Sequence, residues 1–275
     1  MKKLFFAATI SALFLLSSCN EEVEGTADII EALDMETELA VSSNYDDVDN
    51  IVDAGMNAIN TNARTIRDII LNCAEVTKDT VNKTVTIDYG DGCEGPNGRL
   101  RKGKIIIEYN DRRAVVGSFR KATLEGFYVD DVKVEGVRTS TNISDGTSDE
   151  LKFSVTLEGG SVTFADSTMA TREVAHTRTL TIGNTRLENV VHVEGTASGK
   201  RRDGQEYSVE IVTPILYKRD CHTRRVFVPV SGVKEVTFDG QVAIVDYGDG
   251  TCDNEVTITI DGETTTRTIR PRGMR

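Results

Sequence analysis

The sequence Asp-Tyr-Gly-Asp-Gly occurs twice, at residues 88–92 and 246–250, and a cysteine follows each copy within two residues, Cys93 and Cys252. Asp88, Asp91 and Glu94 in the first copy, with Asp246, Asp249, Asp253 and Glu255 in the second, put hard oxygen donors on glycine-rich turns. Calcium takes such ligands, so Asp88, Asp91, Asp246 and Asp249 could hold that ion, although their spacing is not that of an EF-hand. The plainer reading is a strand ending in a tight turn. Asp then accepts backbone N–H groups, Gly supplies positive φ, and the cysteine pins the loop. This reading carries the greater weight, and no other cofactor is implied.

Other chemistry has little support. The histidines are His176, His192 and His222. His192 alternates within a strand pattern and His222 adjoins Cys221, while no serine sits in a nucleophile elbow. The expectation is a protein without a catalytic residue. Sugar platforms usually present Trp, and this chain has none, with nine Phe and seven Tyr. Phe153, Phe164 and Phe238 read as core positions, and the group Phe119, Phe127 and Tyr128 is spaced as for a pair of strands.

These residues must be held by strands. Thr84–Asp88, Lys152–Leu157 and Val256–Ile260 alternate apolar with polar side chains, the period of half-buried strands. Asp239-Gly240 and Asp261-Gly262 read as hairpin turns, and Glu158-Gly159-Gly160 as a break between two further strands. The expected class is mainly β, an antiparallel sandwich or twisted meander over residues 71–270, either one domain or two halves near 71–146 and 150–270. Asp131–Gly136 and Asn189–Gly195 repeat a Val-x-Val-Glu-Gly theme between the two Asp-Tyr-Gly-Asp-Gly copies. The order A, B, B′, A′ points to internal duplication.

A helical segment precedes the sheet. Val48, Ile51, Val52, Met56 and Ile59 recur at helical spacing, and Ser43 with Asp46 could cap the start, which predicts an amphipathic helix over 46–60. A second, less regular helix is expected around Ala27 to Leu39. Residues 20 to 60 hold twelve Asp or Glu and no Lys or Arg, so 19–45 reads as an acidic, solvated tether. No region has the basic concentration that phosphate contacts require, which excludes nucleic acid as the expected partner.

The first eighteen residues have the layout of a signal peptide: Lys2 and Lys3, an apolar run from Leu4 to Leu16, then Ser17 and Ser18 before Cys19. The apolar run is too short to span a bilayer. Leu16-Ser17-Ser18-Cys19 resembles the lipobox of bacterial lipoproteins, and the resemblance implies cleavage before Cys19 and acylation of that residue, a durable membrane anchor. Asn20 in place of Asp implies the outer membrane. Glu21, Glu22 and Glu24 resemble the acidic surface-export signal of Bacteroidetes lipoproteins, which implies a domain facing the cell exterior.

With Cys19 assigned to lipid, four cysteines remain in an exported chain, a number suited to disulfides. Three pairings are open, and the duplication favours Cys73 with Cys93 and Cys221 with Cys252. The lipobox, the acidic leader, Gly-Lys-Ile-Ile-Ile-Glu-Tyr at 103–109, the Val-Glu-Gly segments and the paired Asp-Tyr-Gly-Asp-Gly motifs together resemble β-rich lipoproteins of Bacteroidetes, particularly flavobacteria. That group brings no established activity. The expected function is a non-enzymatic, surface-exposed lipoprotein whose disulfide-stapled β-domain binds an envelope or extracellular protein or glycan. The alternatives are a periplasm-facing assembly lipoprotein and a hydrolase of unrecognised type.

Overall fold

Alternating polarity across most of the chain gives strands with one face to bury, and a single curled sheet buries that face against one long helix. The computed structural model describes residues 25–58, 69–95, 98–146 and 150–269, with side chains from Met35 onward. The helix α1 runs Gly25–Ala58. After it come β1 (Glu75–Asp79), β2 (Thr84–Asp88), the two-residue β3 (Cys93–Glu94), β4 (Leu100–Tyr109), β5 (Phe119–Val129), β6 (Val132–Asn142) and β7 (Glu150–Thr163). Then follow β8 (Met169–Thr181), β9 (Val190–Lys200), β10 (Glu206–Lys218), β11 (Ser231–Phe238), β12 (Gln241–Asp249), β13 (Glu255–Ile260) and β14 (Glu263–Thr268).

All strands belong to one antiparallel sheet, in which β3 pairs with β4 and the others are ordered as they occur in the chain. The fold is therefore mainly β, and of the two expected architectures it is the meander. Hydrogen bonding continues from β6 to β7 through the point where two halves could have met. The Asp239-Gly240 and Asp261-Gly262 turns form with positive φ at both residues, the backbone that matches strand twist in a two-residue hairpin. Glu158-Gly159-Gly160 is not a break between strands: β7 passes through it with a register shift between Leu157 and Gly160. Phe119, Phe127 and Tyr128 lie on one strand, β5, rather than on a pair.

The curl follows from a row of glycine bends. Gly103 in β4 has φ +82, and a Cβ there would lie 2.0 Å from the Gly126 carbonyl oxygen of β5. Gly195 in β9 has φ +119, and its Cβ would lie 2.2 Å from the Ala175 carbonyl oxygen of β8. Gly136 and Gly232 repeat the arrangement in β6 and β11. Backbones approach at these points as no side chain would allow, and bulged strands bend there. The glycines of the two Val-Glu-Gly segments thus serve as bend points in β6 and β9.

Two expectations about the leader fail. The helix starts at Gly25 rather than Asp46, joining both expected helices, and Ser43 and Asp46 lie within it rather than capping it. Nor is 19–45 a solvated tether over its described part, because Glu38 and Asn44 are buried in the sheet, as is Asp47 just beyond. Val41, Val48 and Ile51 face the apolar strands and are almost wholly buried. Gly55 lets α1 settle onto Ile87, whose Cδ1 lies 2.4 Å from where a Cβ would be. Ile59, Cys19 and the signal segment lie outside the described residues.

Candidate functional site

The two Asp-Tyr-Gly-Asp-Gly copies are structurally alike. In each, the first Asp accepts the backbone N–H of the Gly two residues on: Gly90 to Asp88 and Gly248 to Asp246, both at 2.8 Å. In each, the Tyr is buried, Tyr89 and Tyr247, and the strand end lies against a glycine bend. Tyr89 N–H donates to the Gly103 carbonyl at 2.9 Å. Asp246 pairs with Val233, beside Gly232.

The cysteines join as the duplication favoured. Cys73 bonds Cys93 with Cα atoms 5.9 Å apart, and Cys221 bonds Cys252 at 5.2 Å. The acidic oxygens do not converge on a shared ion site. Asp88 holds Lys104 at 2.8 Å, Asp249 accepts from the Thr251 backbone and hydroxyl, and Asp91 is exposed on its turn. Among the described residues, the one trio of ligating groups is Asp220 with Cys221 and Cys252, and those two sulfurs are committed to a disulfide.

A buried charge ladder joins α1 to the sheet, and sequence reasoning missed it. Arg172 of β8 and Lys234 of β11 both reach Glu38, at 2.7 and 2.9 Å. Arg101 of β4 holds Asp47 through two hydrogen bonds. Arg138 of β6 and Arg178 of β8 share Asp49, and Arg113 and Arg120 share Asp53 at 3.0 and 3.1 Å. The Tyr45 hydroxyl donates to the Glu135 carbonyl at 2.8 Å. The Tyr217 hydroxyl donates to Asp46 at 2.9 Å. Buried charges of opposite sign and bidentate geometry offset each other's lost hydration, which an isolated carboxylate inside a sheet could not do.

Between α1 and strands β8 to β12 the ladder leaves a cavity of about 60 Å³, lined by Asp46, Asp49, His176 and Tyr217 among others. Burial pushes the His176 imidazole down to about 2, with help from Arg138, Arg172 and Arg178, so it is neutral. Burial, with Asp49 nearby, pushes the Asp46 carboxyl up to about 6. His222 packs its ring on Phe227 with centroids 4.7 Å apart, and burial holds it at about 4. No histidine is paired with a nucleophile in these contacts, and each lies in a packed or strand position.

A larger cleft opens over α1, between the β5–β6, β7–β8 and β9–β10 turns and the end of β14. Its volume is about 330 Å³, and its walls include Leu39 of α1, Val132 of β6, Phe164 after β7 and Ile269 after β14, with Arg202 and Arg267. Arg202 lies over the Phe164 ring at 4.4 Å and pairs with Asp166. The cleft therefore offers apolar walls with charges of both signs at its rim, Glu36 and Asp130 beside Arg99, Arg202 and Arg267, and it joins segments that are far apart in the chain. Phe164, expected as a core position, is instead half-buried here. Among the described residues no helix is long and apolar enough to cross a membrane. No protein-family model, curated protein or solved structure matches the chain.

Proposed function

We propose that this chain is an exported, lipid-anchored and non-enzymatic binding protein of the outer membrane, facing the cell exterior, and that its cleft seats an apolar segment of an envelope or extracellular partner. The observation that carries the reading is the cleft itself. A volume of about 330 Å³ lies within the usual range for ligand sites, and apolar walls with a few polar groups are their usual composition. The smaller interior cavity, about 60 Å³, is lined by groups of the charge ladder and is too small for more than a water-sized guest. The lipid on Cys19 rests on the lipobox, and the disulfides suit an oxidising compartment.

The early start of α1 bears on how such an anchor would work. With cleavage before Cys19, only Asn20 to Glu24 separate the acylated residue from Gly25. Six Cα–Cα steps span at most about 22 Å, so a short link joins the anchor to the start of α1.

Protease shaving of intact cells, with an intracellular and a periplasmic protein as controls, tests the orientation. Cleavage of the domain supports the exterior reading, and protection until the outer membrane is opened overturns it. The cleft is tested with an anionic naphthalene dye. Saturable binding that Phe164→Ala weakens is expected, and equal binding by wild type and variant removes the cleft from the reading.

A further inference from the structure

Among the described residues, none pairs with the outer edge of the last strand of the sheet. All six residues of β14 are exposed. The strand pairs with β13 in unbroken register from Glu255–Thr268 to Ile260–Glu263 and ends the strand order. Its sequence, Glu263-Thr-Thr-Thr-Arg267-Thr268, has no Pro, no Gly and four β-branched residues. Edges are usually blunted by bulges, prolines or inward-pointing charges. Here the charges are one acid and one base, and their spacing decides what they do.

We infer that β14 is a self-association edge: two copies of this chain join β14 to β14 antiparallel about a two-fold axis at Thr265, continuing the sheet from one copy into the other. In an antiparallel pair, opposed residues either both point their N–H and C=O groups at each other or both point them away. Adjacent residues differ in that respect. A symmetric pair must therefore set a residue against its own symmetry mate, which leaves centres at Thr264, Thr265 or Thr266. Centred at Thr265, Glu263 of each copy stands opposite Arg267 of the other, twice over. Centred at Thr264 or Thr266, Glu263 or Arg267 opposes a threonine and the complementary pairs are lost.

Opposed residues on one face have Cβ atoms about 4.5 to 5.5 Å apart, close enough for opposite charges to stabilise the pair. The face is fixed as well. Arg267 stands opposite Val256 of β13, which is buried in the core, so Arg267 and Glu263 lie on the side that carries α1. Arg267 also borders the large cleft. Glu263 of the second copy therefore arrives at the mouth of that cleft, and each copy completes the rim of the other's.

A strand pair of this length is weak, so covalent trapping of the full-length protein in its own membranes is the suitable test. Thr265→Cys places its thiol opposite itself in the two-fold pair, and mild oxidation should yield a dimer band on a non-reducing gel. Adding Arg267→Glu should abolish the band, and adding Glu263→Arg to that variant should restore it. The same oxidation of Val81→Cys, at an exposed hairpin tip, sets the level for chance collision. The inference is overturned if Thr265→Cys links no better than Val81→Cys, or if Arg267→Glu leaves the dimer unchanged. It is equally overturned if Thr265→Cys links only to Thr77→Cys of the opposite edge strand, β1.

Discussion

Arg101 grips Asp47 with both ends of one guanidinium edge, Nε to Oδ2 at 2.8 Å and Nη2 to Oδ1 at 2.6 Å, at a place where Arg101 has no exposed surface. Removing one member leaves the other charged and buried. Asp47→Ala should cost about 3 to 5 kcal/mol, whereas the joint change Asp47→Leu with Arg101→Met should recover most of the loss. Urea denaturation of the wild type and the two variants measures both values. Equal stability of the single and wild-type proteins would sink this account of how α1 is held.

Asp46 and Glu38 titrate in opposite senses. Burial and Asp49 raise Asp46 to about 6 from 3.8, so the folded state favours the protonated carboxyl, and that stability is present below about 3.8 and lost as pH rises through about 6. Asp46→Asn should therefore raise the melting temperature at pH 7.5 and make little difference at pH 3.5. Burial opposes ionisation of Glu38, but Arg172 and Lys234 outweigh it and hold that carboxyl at about 2. Its contribution is present above about 4.5 and lost as pH falls through about 2. Thermal melts across pH 2 to 8 check both signs.

Each disulfide closes a local loop, with sequence separations of 20 and 31. Replacing Cys73 and Cys93 together by Ala should cost about 3 kcal/mol, and the same change at Cys221 and Cys252 a similar amount. Non-reducing peptide maps of the wild type should recover those two pairs, and any crossed pairing would contradict the structure.

Glycines in this sheet separate into two kinds. Gly195→Ala sets a Cβ against the Ala175 carbonyl and requires φ +119, so it should cost about 2 kcal/mol or more. Gly262→Asn, at φ +86 with nothing within 4 Å, should change stability little, because Asn tolerates the left-handed region. Matching losses at the two sites would show that close backbone approach is not what shapes the curl.

Much of the sheet could be read from alternation. The pattern Thr84–Asp88 coincides with β2, and Val256–Ile260 falls within β13. The Asp-Gly hairpins and the disulfide partners were equally legible, because turn chemistry and cysteine spacing act locally. The charge ladder was not, since it joins an acidic segment to cations far along the chain. A signal was nevertheless present. Arg101 keeps step with Ile105 and Ile107, Arg172 with Ala170 and Val174, and Lys234 with Val236 and Phe238, all at inward positions. Cations in phase with a buried face require buried anions, and the leader without Lys or Arg was the place to find them. The cleft had no such signal, because its walls come from α1, β6, the end of β7 and the end of β14.

Glu38 meets its partners Arg172 and Lys234 across 134 and 196 residues of sequence. Of the described elements, the first to be synthesised is thus the one whose surroundings are finished last. Until β11 emerges, α1 lacks one of the two cations that neutralise its buried carboxylate, and the apolar side of each earlier strand waits beside an incomplete centre. Contacts of such separation form slowly, and a chain in transit must be kept from aggregating meanwhile. A translation product that stops short of its final strands therefore lacks more than an edge, because its middle has never been assembled.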